Sequence, residues 1–274
     1  LFAATVVYAL YTQINRSLPS IQSLTNYDPP LVSSIYARDG SLIGEFYAER
    51  RFLVPLQQMS PHLIKAFLAA EDTRFYEHAG VDVHSILRAF YKNWQAGKIV
   101  QGASTITQQV VRSLLLKPEK TWIRKCSEAL LAYRIDRLLS KDQILELYLN
   151  EIYYGNLAYG VEAAAETYFG VRADRLTLAQ ASFLAGLPQA PSVYDVYTRP
   201  DLALERHEVV LVLMYQSSQQ QGCIYVSNHP QRICLDPVAV TQAASEMKSY
   251  AFKSPDIQIR YPHWVDYVRA LLEQ

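Results

Sequence analysis

The chain has no excess of either charge sign: 26 lysines and arginines face 26 aspartates and glutamates over 274 residues. That balance argues against a nucleic-acid footprint, because phosphate binding normally shows as a basic excess. Cysteine is scarce as well. Three cysteines do not make a disulfide framework, and no C-x-x-C pair suggests zinc. Cys223 and Cys234 bracket a polar loop, and spacing along the chain leaves their pairing open. Cys126 reads as a small hydrophobe inside a helix core. A long hydrophobic run is also missing. The uncharged opening, Leu1 to Tyr11 with no charge before Arg16, is shorter than the roughly 20 residues that cross a bilayer.

What is present is globular material. Half of the residues are hydrophobic, enough for a core in one large domain or two small ones. Most of the 20 tyrosines read as half-buried packing. A polar stretch over 13–30 ends in Asp28-Pro29-Pro30, a linker signature. Ser33–Tyr36 and Leu42–Phe46 alternate around Asp39-Gly40 and predict a β-hairpin. From Pro61 to about Gln221 the period is helical, so the expected class is mainly α. Ser60-Pro61 predicts one helix start. Ser140 with Gln143, and Thr177 with Gln180, predict two capping boxes. Beyond Gln221 the pattern loosens into strand-like Cys223–Val226 and a last helix around Val265–Leu272.

Three blocks carry chemistry. In the first, Glu71 closes the helix over Leu63–Ala70 and delivers a carboxylate from an apolar helix into a polar loop. Such a setting raises a carboxyl pKa towards the range of a general base. Asp72, Phe75, His78, Gly80 and Asp82 follow at short spacing and describe an ordered turn. Asp72 reads as a supporting acid and His78 as a loop organiser, since no second histidine stands near enough for a metal. In the second block, Gly102-Ala-Ser-Thr-Ile-Thr-Gln-Gln109 runs into a helix expected over 110–116. Ser104, Thr105 and the backbone N–H groups there suggest an anion cradle, or else an ordinary N-cap. The Gln108-Gln109 pair is more than a cap requires. The third block lies in a helix expected from Trp122 to Leu139, where Arg124, Lys125 and Glu128 share one sector. Ile123, Cys126, Leu130 and Leu131 suggest that much of this helix is buried, which would turn the charges into a cleft rather than into surface ion pairs.

With Lys141–Asn150 followed by Tyr154-Gly155 and Tyr159–Gly170, and with Arg206, Val210, Leu211 and Met214, these blocks resemble in order the peptidoglycan glycosyltransferases of glycosyltransferase family 51. The resemblance runs from about Leu31 to Met214. It implies a lysozyme-like, mainly α glycosyltransferase domain that polymerises lipid II. It makes Glu71 the base, Glu128 the second carboxylate, and Arg124 and Lys125 a pyrophosphate clamp. It places Ser104, Thr105, Gln108 and Gln109 along the donor cleft, with Glu146 and Asn150 bracing the site. A divalent metal, magnesium or manganese, is compatible with that chemistry but is required by no sequence feature. The resemblance further implies lipid II, the growing glycan strand and membrane lipid as partners, leaves room for other cell-wall synthesis proteins, and sets the domain outside the cytoplasmic membrane. On this reading residues 1–30 are the remnant of a membrane anchor and a linker, 31–221 the glycosyltransferase domain, and 222–274 a linker towards a transpeptidase domain. Ser245-Glu-Met-Lys248 fits the serine–x–x–lysine motif of transpeptidases, but no Lys-Thr-Gly follows, so the match reads as coincidence. The rival enzyme is a lysozyme-like muramidase or lytic transglycosylase that cuts the same glycan. The non-enzyme rival is an inactive scaffold module.

Between the first two blocks, Val83, Ile86, Leu87, Phe90, Tyr91 and Trp94 recur at helical spacing. They form either a face that packs on the domain or one that dips into lipid.

Overall fold

The structure, a computed structural model, describes residues 12, 14–15, 18–24, 27–98, 102–116, 121–230, 232–252, 264, 267–268 and 271. The expected anchor run over residues 1–10 lies outside the described residues, as does most of the last helix expected near Val265–Leu272. Among the described residues no helix is long and apolar enough to cross a membrane.

The hairpin forms as its turn chemistry dictates. Strands β1 (Ser33–Tyr36) and β2 (Leu42–Phe46) pair antiparallel with Ser33 opposite Phe46 and a register shift after Ile35. Asp39 accepts hydrogen bonds from the Ser41 backbone and hydroxyl at 2.9 and 2.7 Å, which fixes the turn. Two shorter strands, β3 (Arg50–Arg51) and β4 (Ala158–Tyr159), pair in parallel.

The rest is helical: α1 (Pro61–Glu71), α2 (Val83–Ala96), α3 (Ile106–Leu114), α4 (Trp122–Leu138), α5 (Lys141–Glu151), α6 (Val161–Phe169), α7 (Leu178–Gly186), α8 (Pro200–Gln221) and α9 (Pro237–Ser249). The capping boxes at Ser140 and Thr177 are both made. Ser60 stands at the N-cap of α1, but its hydroxyl donates to the Leu176 carbonyl at 2.9 Å instead of capping. There the proline at the first turn sets the helix start.

Helix α1 is the centre of the core, with Leu63–Ala69 buried and α7 and α8 packed against it. Phe67 meets Tyr148 and Tyr154 edge-on at 5.8 and 6.0 Å. Each such buried large side chain contributes about 1.5–3 kcal/mol. Helix α3 is held between α4 and α5. The core does not stop at Gln221, where the sequence suggested a linker. Ile224, Val226, Leu235, Ala243 and Met247 are buried in the same cluster as α1. Cys223 and Cys234 form a disulfide, and Ile224 and Ile233 pair between them as a short antiparallel bridge.

Candidate active site

Helix α1 places the Glu71 carboxylate at the rim of the core. Gln109 of α3 donates its Nε2 to Glu71 Oε2 at 2.7 Å. Burial pushes the Glu71 carboxyl above its ordinary value, and the Gln109 hydrogen bond and the charge of Arg206 pull it only partly back. The result is a carboxylate with the raised proton affinity of a general base. The charge of Arg206 reaches Glu71, and Tyr154 is fully buried with a hydroxyl that has no hydrogen-bond partner.

The turn after Glu71 is fastened at several points. Asp72 is buried between His78, whose Nε2 lies 2.9 Å from Oδ2, and the first helical N–H of α3, donated by Ile106 at 3.1 Å. His78 is therefore a loop organiser. Phe75 is buried, with His78 and Tyr76 stacked edge-on against it. Gly80 has φ +79°, and a Cβ there would stand 2.3 Å from the Ala132 carbonyl oxygen, so the turn can press onto α4 only with glycine. Asp82 closes the turn as N-cap of α2, accepting from Ser85 N at 3.1 Å.

The second carboxylate lies in a different setting. Glu128 is fully buried, and three cations converge on it: Lys125 Nζ at 2.8 Å, Arg112 Nε at 3.3 Å and Arg124 Nε at 3.6 Å. Lys125 and Arg112 also donate to Ser104 Oγ, at 3.0 and 3.2 Å. Burial by itself would raise the Glu128 carboxyl. The hydrogen bonds from Lys125 and Arg112 outweigh it and hold the group below its ordinary value. The Lys125 and Arg112 side chains remain 45% and 41% exposed. The site therefore shows a surplus of positive charge outward, with its one carboxylate sealed behind it. Such a surface suits an anionic group.

Gln109 and Arg112 stand three residues apart, so they share one face of α3 and hold the two carboxylates side by side. The charge of Arg112 reaches Glu71 as well. The structure thus brings together Glu71, Gln109, Ser104, Arg124, Lys125 and Glu128. Sequence reading missed Arg112, although its spacing from Gln109 was a usable signal.

Several expectations are corrected. Helix α3 begins four residues earlier than expected, and Thr105 and Gln108 are spent on its capping box. Both are buried, and Thr105 also donates to the Gly80 carbonyl at 2.6 Å. The start of α3 is no open anion cradle, because Asp72 already occupies it. Cys126 and Ile123 are exposed, not core, since they lie off the stripe formed by Ser127, Glu128, Leu131 and Ile135. Glu146 and Asn150 do not reach the two carboxylates. Glu146 accepts from Leu56 N at 2.7 Å, and Asn150 bonds the Val54 backbone at 3.0 and 2.9 Å, so they brace the segment before α1.

Among the described residues no group of three or more histidine, cysteine or acidic side chains is placed to hold a metal. The nearest carboxylates are committed elsewhere: Glu128 to three cations, Asp72 to His78 and Ile106, Glu71 to Gln109. Among the described residues no all-protein cage for magnesium or manganese is therefore formed.

Helix α2 turns its apolar face outward. Phe90 and Trp94 are 73% and 74% exposed, and Val83, Ile86, Leu87 and Tyr91 are exposed beside them.

The family model described as Transglycosylase matches residues 39–215, more than half of the chain. The chain is 47% identical over 224 residues to penicillin-binding protein 1A of Escherichia coli, covering 81% of this chain and 26% of that protein. It is 44% identical over 216 residues to penicillin-binding protein 1A of Aquifex aeolicus, covering 79% and 30%. The crystal structure of penicillin-binding protein 1A from Haemophilus influenzae superposes with a TM-score of 0.48 at 25% identity, over 89% of this chain and 24% of that one. The chain spans less than a third of the length of the curated relatives it matches.

Proposed function

The chain belongs to the transglycosylase family, and from that premise we propose that it polymerises lipid II into glycan strands and releases undecaprenyl pyrophosphate. The observation that carries this reading is the pair of carboxylates on one face of α3, one pushed up and the other held down. Carboxylates whose surroundings drive their protonation apart take separate roles in acid–base chemistry. Glu71 accepts the proton of the acceptor's N-acetylglucosamine 4-hydroxyl. That oxygen attacks the anomeric carbon of the donor's N-acetylmuramic acid, and the bond to pyrophosphate breaks with inversion. The departing charge meets Lys125, Arg112 and Arg124. Glu128 is their buried counterion, fixing their positions before the reaction so that little reorganisation is needed at the transition state. The helical body around α1 supports the lysozyme-like fold that the resemblance implies.

Cutting the same glycan would leave a sugar hydroxyl, which needs a proton donor and no cationic clamp. The three cations on Glu128 favour synthesis. The exposed face of α2 supports docking at a bilayer surface, where a polyprenyl-linked donor resides. The disulfide supports an oxidising compartment outside the cytoplasm.

Labelled lipid II incubated with the purified chain tests the proposal. The expected outcome is a ladder of glycan polymer with stoichiometric release of the lipid pyrophosphate. Cleavage of preformed glycan without any polymer would replace this reading with the muramidase one.

A further inference from the structure

The loop closed by Cys223–Cys234 lies beyond residues 39–215, which the family model matches, yet it grips the turn that carries the base. The Tyr225 ring packs edge-on against Tyr76 at 5.4 Å. Ser227 Oγ lies 3.2 Å from the Tyr76 hydroxyl, which is also 3.2 Å from Asp142 Oδ1. Just before the loop, Gln221 Nε2 donates to the Thr73 carbonyl at 3.0 Å. At its tip, Asn228 Nδ2 donates to the carbonyls of Leu56 and Met59 at 3.1 and 2.8 Å, next to the start of α1. The loop therefore touches the chain at both ends of the helix that presents Glu71.

Among its described residues the loop has little regular structure that would hold it in shape. Ile224 and Ile233 exchange two backbone hydrogen bonds, both at 3.0 Å, and the disulfide stands beside that bridge. Buried Ile224 and Val226 anchor its first limb, and the Leu235 N–H donates to Ser218 Oγ at 3.0 Å after the second. Without the cross-link the Ile224–Ile233 bridge is what joins the two limbs among the described residues, and the register of Tyr225 and Ser227 against Tyr76 loosens.

We propose that the Cys223–Cys234 loop is a positioning brace for the general base, acting through Tyr225, Ser227 and Gln221 on the turn over Thr73–Tyr76. The proposal rests on the function given above, with Glu71 as base. Displacing a reacting group by a fraction of an ångström lowers the rate of the chemical step more than it weakens substrate binding.

The test uses the whole chain with labelled lipid II, oxidised and then reduced by excess dithiothreitol. The dithiol passes two electrons to the S–S bond, leaving two cysteine thiols and itself becoming a cyclic disulfide. On reduction kcat should fall on the order of tenfold while KM stays within about twofold, since the misplacement acts on the chemical step. Reoxidation should restore kcat. The paired variant Cys223→Ser with Cys234→Ser should show the low kcat throughout and ignore the dithiol. Tyr225→Ala with the disulfide intact should lower kcat in the same direction. Full kcat in the reduced enzyme would overturn the brace. If reduction simply melts the chain at the assay temperature, Tyr225→Ala decides, and its full kcat would overturn the brace as well. An oxidised chain that makes no polymer would instead defeat the function on which the proposal stands.

Discussion

The Glu71 pocket and the Glu128 cluster lie against the same face of α3, yet they treat a carboxylate in opposite ways. Among the described residues Gln109 is the hydrogen-bond donor to Glu71, and the charges of Arg206 and Arg112 act on it without a hydrogen bond, so burial dominates and the proton is held more tightly. Around Glu128 burial is just as real, but the hydrogen bonds and charges of Lys125 and Arg112 overcome it. Burial alone therefore does not set a carboxylate's role; whether cations hydrogen-bond it directly does. One site makes a base and the other a counterion.

Removing the base should have the largest effect. Glu71→Gln keeps the shape but cannot accept the proton, and polymerisation should fall by about 10²–10⁴-fold. A rate within threefold of wild type would take Glu71 out of that role. Next comes the clamp. Lys125→Ala should lower the rate by roughly 10²-fold through the leaving group, with a smaller fall in melting temperature than Lys141→Ala because Glu128 keeps Arg112 and Arg124 beside it. Lys141 offers the contrast. Its Nζ pairs with Asp136, donates to the His78 carbonyl at 2.6 Å and sits 4.7 Å over the Phe75 ring. Lys141→Ala should therefore lower the melting temperature along with the rate, because it loosens the turn after Glu71. Equal profiles for the two lysine variants would erase the distinction between clamp and scaffold.

Stability sharpens the comparison further. The folded value of Glu71 lies above its unfolded one, so the folded chain loses stability as pH rises past the ordinary carboxyl range. Glu128 is the reverse: its stabilisation is complete above the ordinary value of 4.5 and is lost as pH falls through the lower folded value. At neutral pH Glu71→Gln should thus raise the melting temperature. Glu128→Gln should strip three cations of their counterion. With those cations partly in solvent the loss is about 2 kcal/mol, or roughly 4–8 °C in Tm. Shifts of the same sign in the two variants would contradict the opposed environments. The smallest thermal effect belongs to α2. Phe90→Ser with Trp94→Ser should leave Tm within about 1 °C, because exposed side chains add little to stability. The same variant of a chain lacking residues 1–30 should lose binding to lipid II vesicles. A sharp drop in Tm would show that this face is core.

What could be read from the sequence was local. The hairpin turn at Asp39-Gly40, the two capping boxes and the shared sector of Arg124, Lys125 and Glu128 depend on spacings of a few residues, and the structure has all of them. What could not be read depends on which face of an element meets a neighbour. Helices α1 and α2 are both rich in apolar residues, yet α1 is buried and α2 is turned out. Lys141 stood in the first turn of a helix like any solvated lysine, and its tie to His78 runs across 63 positions. Thr105 and Gln108 suited a cap or a ligand equally well, and the cap took them because Asp72 and Gly80 close over that end of α3. The pairing of Cys223 with Cys234 needed geometry that spacing does not supply.

The most direct test of the opposed carboxylates is a site-resolved titration. Carbon-13 side-chain NMR of the folded chain, assigned with Glu71→Gln and Glu128→Gln, reads each carboxyl separately. Glu71 should titrate above 4.5 and Glu128 below it, the directions set by burial in one case and by the Lys125 and Arg112 hydrogen bonds in the other. If the two titrate together, or in the reverse order, the division into base and counterion is wrong.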